Sequence, residues 1–124
     1  MFPQLPAVVR IFLCTQPTDM RKSFDGLTGL VQQCFGQDPL TGHLFLFLNR
    51  RRDRLKILSW ERDGLVIWYK RLEAGTFQQL DPTAHAGRTA GSAGIELTTT
   101  ELALLLTGID LTTARRRKRY ARTA

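Results

Sequence analysis

Three apolar runs follow one another closely: His43 to Leu48, Arg54 to Trp60 and Leu65 to Tyr69. The gaps between them, Asn49 to Asp53 and Glu61 to Gly64, are far too short to hold a crossover helix. Strands joined so tightly must run antiparallel, and Asp63-Gly64 is a strong hairpin signal. The third run is rich in β-branched and aromatic residues, which suit a pleated, half-buried surface. A meander over 43–72 is therefore the feature that most restricts the fold. In its second run Arg54 and Lys56 alternate with Leu55 and Ile57. That phase predicts a charged face toward solvent and an apolar face toward a helix.

The helix is predicted over 23–35. Ser23 can cap it, and Phe24, Leu27, Leu30, Val31 and Cys34 recur at three- and four-residue spacings before Gly36. Val8 to Leu13 reads as a strand, and Asp38-Pro39-Leu40-Thr41-Gly42 as a turn. Thr76 to Leu80 is predicted as a short edge strand, followed by a flexible loop over 81–94. Ile95 to Leu97 is extended. A short C-terminal helix begins near Glu101, capped by Thr98 or Thr99, and stops at Gly108. The fold class is α+β: a small antiparallel sheet on an N-terminal helix, with a short C-terminal helix and a basic tail. The organisation is a core at 1–80, the loop at 81–94, a strand and helix at 95–110 and the tail at 111–124.

Charge is the second constraint. The net charge of +7 is concentrated. Residues 50–75 carry eight bases against four acids, 115–124 six bases and no acid, while 76–114 is net negative. Clusters of this kind attract polyanions, nucleic acid first. Arg50, Arg51, Arg52 and Arg54 lie in and beside a predicted hairpin loop, and Arg115, Arg116, Arg117, Lys118 and Arg119 lie in the tail. Guanidinium groups at those places can pair with phosphates. The tail reads as an arm that folds on DNA or lies along phosphates, a merely solvated tail being the alternative; with no apolar pattern to pack, it is expected to be removable without unfolding the domain. Trp60, Trp68 and Tyr69 interleave with Lys56, Lys70 and Arg71. Stacking on unpaired bases is one reading of those aromatics and core packing the favoured one. Arg21 and Lys22 precede the first helix, where they could help bind an anion, or Arg21 could pair with Asp19 or Asp25.

Catalytic chemistry finds little support. His43 and His85 have no neighbouring ligands at metal spacing, and no CxxC, HExxH, EF-hand or phosphate-loop pattern occurs. Asp53, Glu61 and Asp63 each adjoin an arginine in a predicted loop, which suits surface pairing better than a two-metal centre. No catalytic residue, metal or cofactor is expected. Cys14 and Cys34 read as buried free thiols. The start MFPQLPAVVRIFL lacks a basic n-region and a small-residue cleavage site, and no run spans a bilayer, so a cytoplasmic location is expected.

Five blocks carry a resemblance. They are Asp19-Met20-Arg21-Lys22-Ser23-Phe24-Asp25-Gly26-Leu27, Asp38 through Phe45, Asn49 through Leu58, Trp60-Glu61-Arg62-Asp63-Gly64 and Trp68-Tyr69-Lys70-Arg71-Leu72-Glu73. In this order they resemble the TnpB (Orf2) accessory proteins of insertion sequences of the IS-sixty-six type, distinct from the RNA-guided nucleases that share the TnpB name. The resemblance covers residues 8 to about 80 and continues weakly through 101–107. It implies a non-catalytic role in transposition, with transposon-end DNA, a separate acidic-triad transposase and another element-encoded protein as partners. The alternative within that role is a pure protein adaptor that never touches DNA. Where the family often has Gly, this chain has Arg52, which puts the local turn geometry in question.

Overall fold

The computed structural model describes residues 9–81, 85, 87–110 and 115–122. Parts of the expected core (1–8), loop (82–84 and 86) and tail (111–114 and 123–124) lie outside the described residues. Strand β1 (Ile11–Cys14) leads to helix α1 (Phe24–Leu30), which runs into a π-helical turn over Val31–Phe35. Strands β2 (Leu44–Leu48), β3 (Arg54–Glu61) and β4 (Gly64–Arg71) follow, then β5 (Thr89–Ala90), β6 (Gly94–Leu97) and helix α2 (Thr99–Thr107). The strands form one sheet in the order β4-β3-β2-β1-β6-β5.

The meander is antiparallel throughout, with Leu48 opposite Leu55 and Glu61 opposite Gly64. The second hairpin loop is therefore Arg62-Asp63, one residue earlier than the Asp-Gly pair suggests, and Arg62 takes the positive φ of 57°. Beyond the meander the sheet is mixed. Strand β1 pairs parallel with β2, with α1 in the crossover, and antiparallel with β6 on its other side. Thr76 to Leu80 forms no strand, and part of the expected flexible loop is β5.

Both faces of the sheet are covered. On one, Phe12, Cys14, Phe45, Phe47 and Leu58 pack under Leu27, Val31 and Phe35. Phe12 and Phe45 stack at 5.6 Å, with Phe35 tilted against both. On the other face, Ile11, Leu13, Leu46, Leu48, Leu55, Ile95 and Leu97 meet Leu105 of α2 and Leu72, Phe77 and Leu80 of the following segment. The uninterrupted LFLFL of β2 suits a strand buried on both sides.

This double cover overturns the expected division of β3. Lys56 is 8% exposed and lies on the α1 side with Leu58, while Leu55 faces the opposite layer. Its Nζ donates to the carbonyls of Met20 and Lys22, each at 2.8 Å, and so holds the chain entering α1. Cys14 is buried, and that burial pushes its thiol up to about 12; Cys34 is partly exposed. His43 has a structural role, its Nδ1 accepting the Arg10 backbone N–H at 3.0 Å.

Helix α2 begins with a capping box: Thr98 Oγ1 accepts the Glu101 N–H, and Glu101 Oε1 accepts the Thr98 N–H. Arg88 grips the same carboxylate with both terminal nitrogens and holds Glu101 down at about 2. Because the folded value lies below the unfolded one, this stabilisation is complete above the ordinary carboxylate range. It is lost as pH falls toward 2. Wild-type protein should therefore lose more thermal stability between pH 5 and pH 3 than Glu101→Gln, measured by calorimetry in matched buffers; parallel pH profiles would refute the coupling.

Candidate nucleic-acid interface

The β2–β3 loop is organised by Asn49. Its Oδ1 accepts the backbone N–H groups of Asp53 and Arg54 at 3.0 Å, and its Nδ2 donates to Asp53 Oδ1 at 2.7 Å. The Arg52 N–H closes a turn onto the Asn49 carbonyl at 3.0 Å. Arg50 and Arg51 are left exposed at the tip, and among the described residues neither has an ion-pair partner. Arg52 sits at φ 58°, which explains why glycine suits this position and answers the question of turn geometry. Its side chain reaches Gln79 Oε1 at 3.1 Å. Arg52→Gly should change stability by less than about 1 kcal/mol, relief of the left-handed backbone offsetting that bond. Arg52→Val, β-branched at the same φ, should cost about 1–2 kcal/mol; equal melting curves for the two variants would refute this.

The segment after β4 ties this loop to the C-terminal cluster. The Leu72 N–H donates to Asp53 O and the Phe77 N–H to Arg52 O, both at 2.7 Å. From the other side, Arg117 donates to Thr76 O and Oγ1 at 2.9 and 2.8 Å and pairs with Asp110 at 2.7 Å. Arg119 donates to the same Thr76 carbonyl at 3.0 Å, its guanidinium 5.3 Å above the Phe77 ring. Burial, then the neighbouring Arg117 charge, lowers the Arg119 pKa. A bridge from Ile109 to Arg116 and a bond from the Arg117 N–H to Gly108 O complete the attachment. The expected free arm is thus a docked segment over its described part. Arg117 and Arg119 turn inward, while Arg115, Arg116 and Lys118 are exposed.

The remaining sequence candidates divide by their partners. Arg21 is held bidentately by Asp19, drawing that carboxyl down to about 2, and Arg71 pairs with Glu73 at 2.7 Å. Arg54 lies opposite Arg71 in the sheet and donates to Tyr69 Oη at 3.3 Å. Lys56 is committed beneath the Tyr69 ring, 4.7 Å from its centroid. Lys22 and Lys70 are exposed and without an acidic partner among the described residues. Core packing does not account for Trp68 and Tyr69, which are 44% and 47% exposed on the edge strand; Trp60 is half-buried. Charge counting could not separate committed from free cations, because the groups that engage Lys56, Arg117 and Arg119 are mainly backbone carbonyls and a phenyl ring.

Among the described residues no group of three or more His, Cys, Asp or Glu side chains could hold a metal ion, and no helix is long and apolar enough to cross a membrane. Fold and surface together define a small α+β protein in which a hairpin loop and a docked tail, each with exposed basic residues, are both hydrogen-bonded to the segment after β4. Residues 9–116 match the profile of the family described as IS66 Orf2 like protein. The chain belongs to this family of insertion-sequence accessory proteins, whose role is in transposition. It is 33% identical over 109 residues to the uncharacterized protein y4jC of Sinorhizobium fredii, covering 88% of this chain and 86% of that one. It is 35% identical over 102 residues to y4hO of the same organism, covering 82% of each. No solved structure matches the chain.

Proposed function

We propose that this protein is a non-catalytic DNA-binding accessory of transposition, using Arg50, Arg51, Lys70, Arg116 and Lys118 to neutralise phosphates on transposon-end DNA. The observation that carries the reading is the double attachment of 72–80, which receives the arginine loop on one side and the basic tail on the other. Two clusters far apart in sequence then act as one electropositive face. Phosphate contacts of this kind position a protein on DNA without reading its sequence. The phosphodiester chemistry falls to the separate transposase; the described residues of this chain offer positioning and charge, and no three metal-ligating side chains converge among them.

A titration of the folded full-length chain on end DNA and on scrambled duplex, at several salt concentrations, tests this. Binding to both, weakening linearly in log–log terms with salt, is the expected result. No binding to either DNA, alone or with transposase present, would overturn the reading.

A further inference from the structure

We propose that the uncovered half of the α2-side sheet face, at Val66, Trp68 and Lys70 with Tyr120 beside it, is a stacking platform for an unpaired DNA strand. The proposal rests on the DNA-binding reading above and names a second, structurally distinct DNA form for the same protein.

The sheet is wider than its cover on this side. Helix α2 packs on β6, and Leu72, Phe77 and Leu80 cover the middle strands. Register places Val66 opposite Ser59, Trp68 opposite Ile57 and Lys70 opposite Leu55, so all three side chains of β4 share this face. Val66 and Trp68 remain 43% and 44% exposed. Lys70 stands next to Trp68 on the face, about 6.6 Å along the strand. It lines a shallow cleft with Leu106, Thr107 and Tyr120, and Tyr120 is 63% exposed. An open aromatic, an ammonium with no acidic partner among the described residues and a second open aromatic therefore follow one another across the surface.

That order suits a single strand. Each base offers a π-face to an aromatic ring, whatever its identity, while the intervening cation meets the phosphate. A duplex has its bases already stacked and could use only the cation. A second copy of this chain is the competing occupant of an exposed edge strand. The net charge of +7 opposes self-association and favours a polyanion. Tyr69, on the reverse face, is already engaged by Lys56 and Arg54 and does not belong to the platform.

The test uses the full-length protein and a short oligothymidylate. The chain has two tryptophans, so Trp60→Phe leaves Trp68 as the only indole reporter. Stacking should quench its fluorescence on titration. Trp68→Ala and Tyr120→Ala should each weaken oligothymidylate binding by about tenfold or more while changing duplex affinity less than about twofold. Trp68→Phe should restore most of the loss. Circular dichroism checks that each variant is folded, and both mutated side chains are exposed. Duplex binding with no single-strand binding, or single-strand binding indifferent to both aromatics, would overturn this proposal and leave the duplex reading standing. Absence of all DNA binding would overturn both. Sedimentation showing a wild-type dimer that Trp68→Ala dissociates would assign the face to a second copy instead.

Discussion

Truncation before Arg115 should lower the thermal midpoint by roughly 10 °C. The tail supplies the Arg117–Asp110 pair, three hydrogen bonds onto Thr76 and the cation above the buried Phe77 ring. Its removal leaves a half-buried Asp110 without that pair and opens one side of the α2 layer. Contacts of this type, partly exposed, together contribute about 3 kcal/mol, and 1 kcal/mol moves the midpoint by about 3–5 °C at this chain length. Gly75→Val gives an independent route to the same state. Gly75 has φ +78°, and a Cβ there would stand 1.8 Å from the Lys118 carbonyl oxygen, so the tail must leave its seat. Both variants should melt early, followed by calorimetry. A truncated chain melting within about 2 °C of wild type would mean the docked tail contributes nothing to the fold.

The second large effect is on DNA affinity. Five free cations on the proposed face give a slope of log affinity against log salt of about −4.5, or roughly a 500-fold loss between 50 and 200 mM. Arg50→Ala with Arg51→Ala should flatten the slope to about −2.7, or roughly a 40-fold loss over the same range, equally on end and scrambled DNA. Arg21→Ala is the control, because its guanidinium is already neutralised by Asp19. A slope unchanged by the double substitution, or flattened as much by the control, would move the DNA surface elsewhere. The two experiments interlock: truncation removes phosphate contacts and stability together, whereas the loop substitutions remove contacts from a tip with no ion-pair partners among the described residues.

What the sequence revealed follows the range of the interactions. The meander was legible because tight turns make its pairing local and the apolar runs mark its strands. The partners of β1 were not, since joining Ile11–Cys14 to Leu44–Leu48 and Gly94–Leu97 depends on contacts across most of the chain. The LFLFL run did carry a sign of burial on both faces, while the alternation in β3 suggested one solvated face. Lys56 breaks that alternation because two loop carbonyls wait for its ammonium on the buried side. For the site, clustering located the Arg50–Arg51 tip correctly as an exposed loop. It misjudged Arg117 and Arg119, whose partners are Thr76 and Phe77, residues that charge patterns do not register.

The central position of β1 also governs when this protein can fold as it leaves the ribosome. Ile11 pairs with Leu44 on one side and with Leu97 on the other. Until Gly94–Leu97 emerges, the nascent chain holds an apolar strand with one unsatisfied edge at what will become the middle of the sheet. The meander can form early, but the second core layer needs Leu105, which emerges only after every strand of the sheet. Closing such distant pairs makes folding slow, with the complete sheet forming only once Gly94–Leu97 is available rather than growing outward from the N-terminus. Interrupted synthesis would leave not a smaller working version of the protein but a sticky fragment, one for chaperones or proteases to remove.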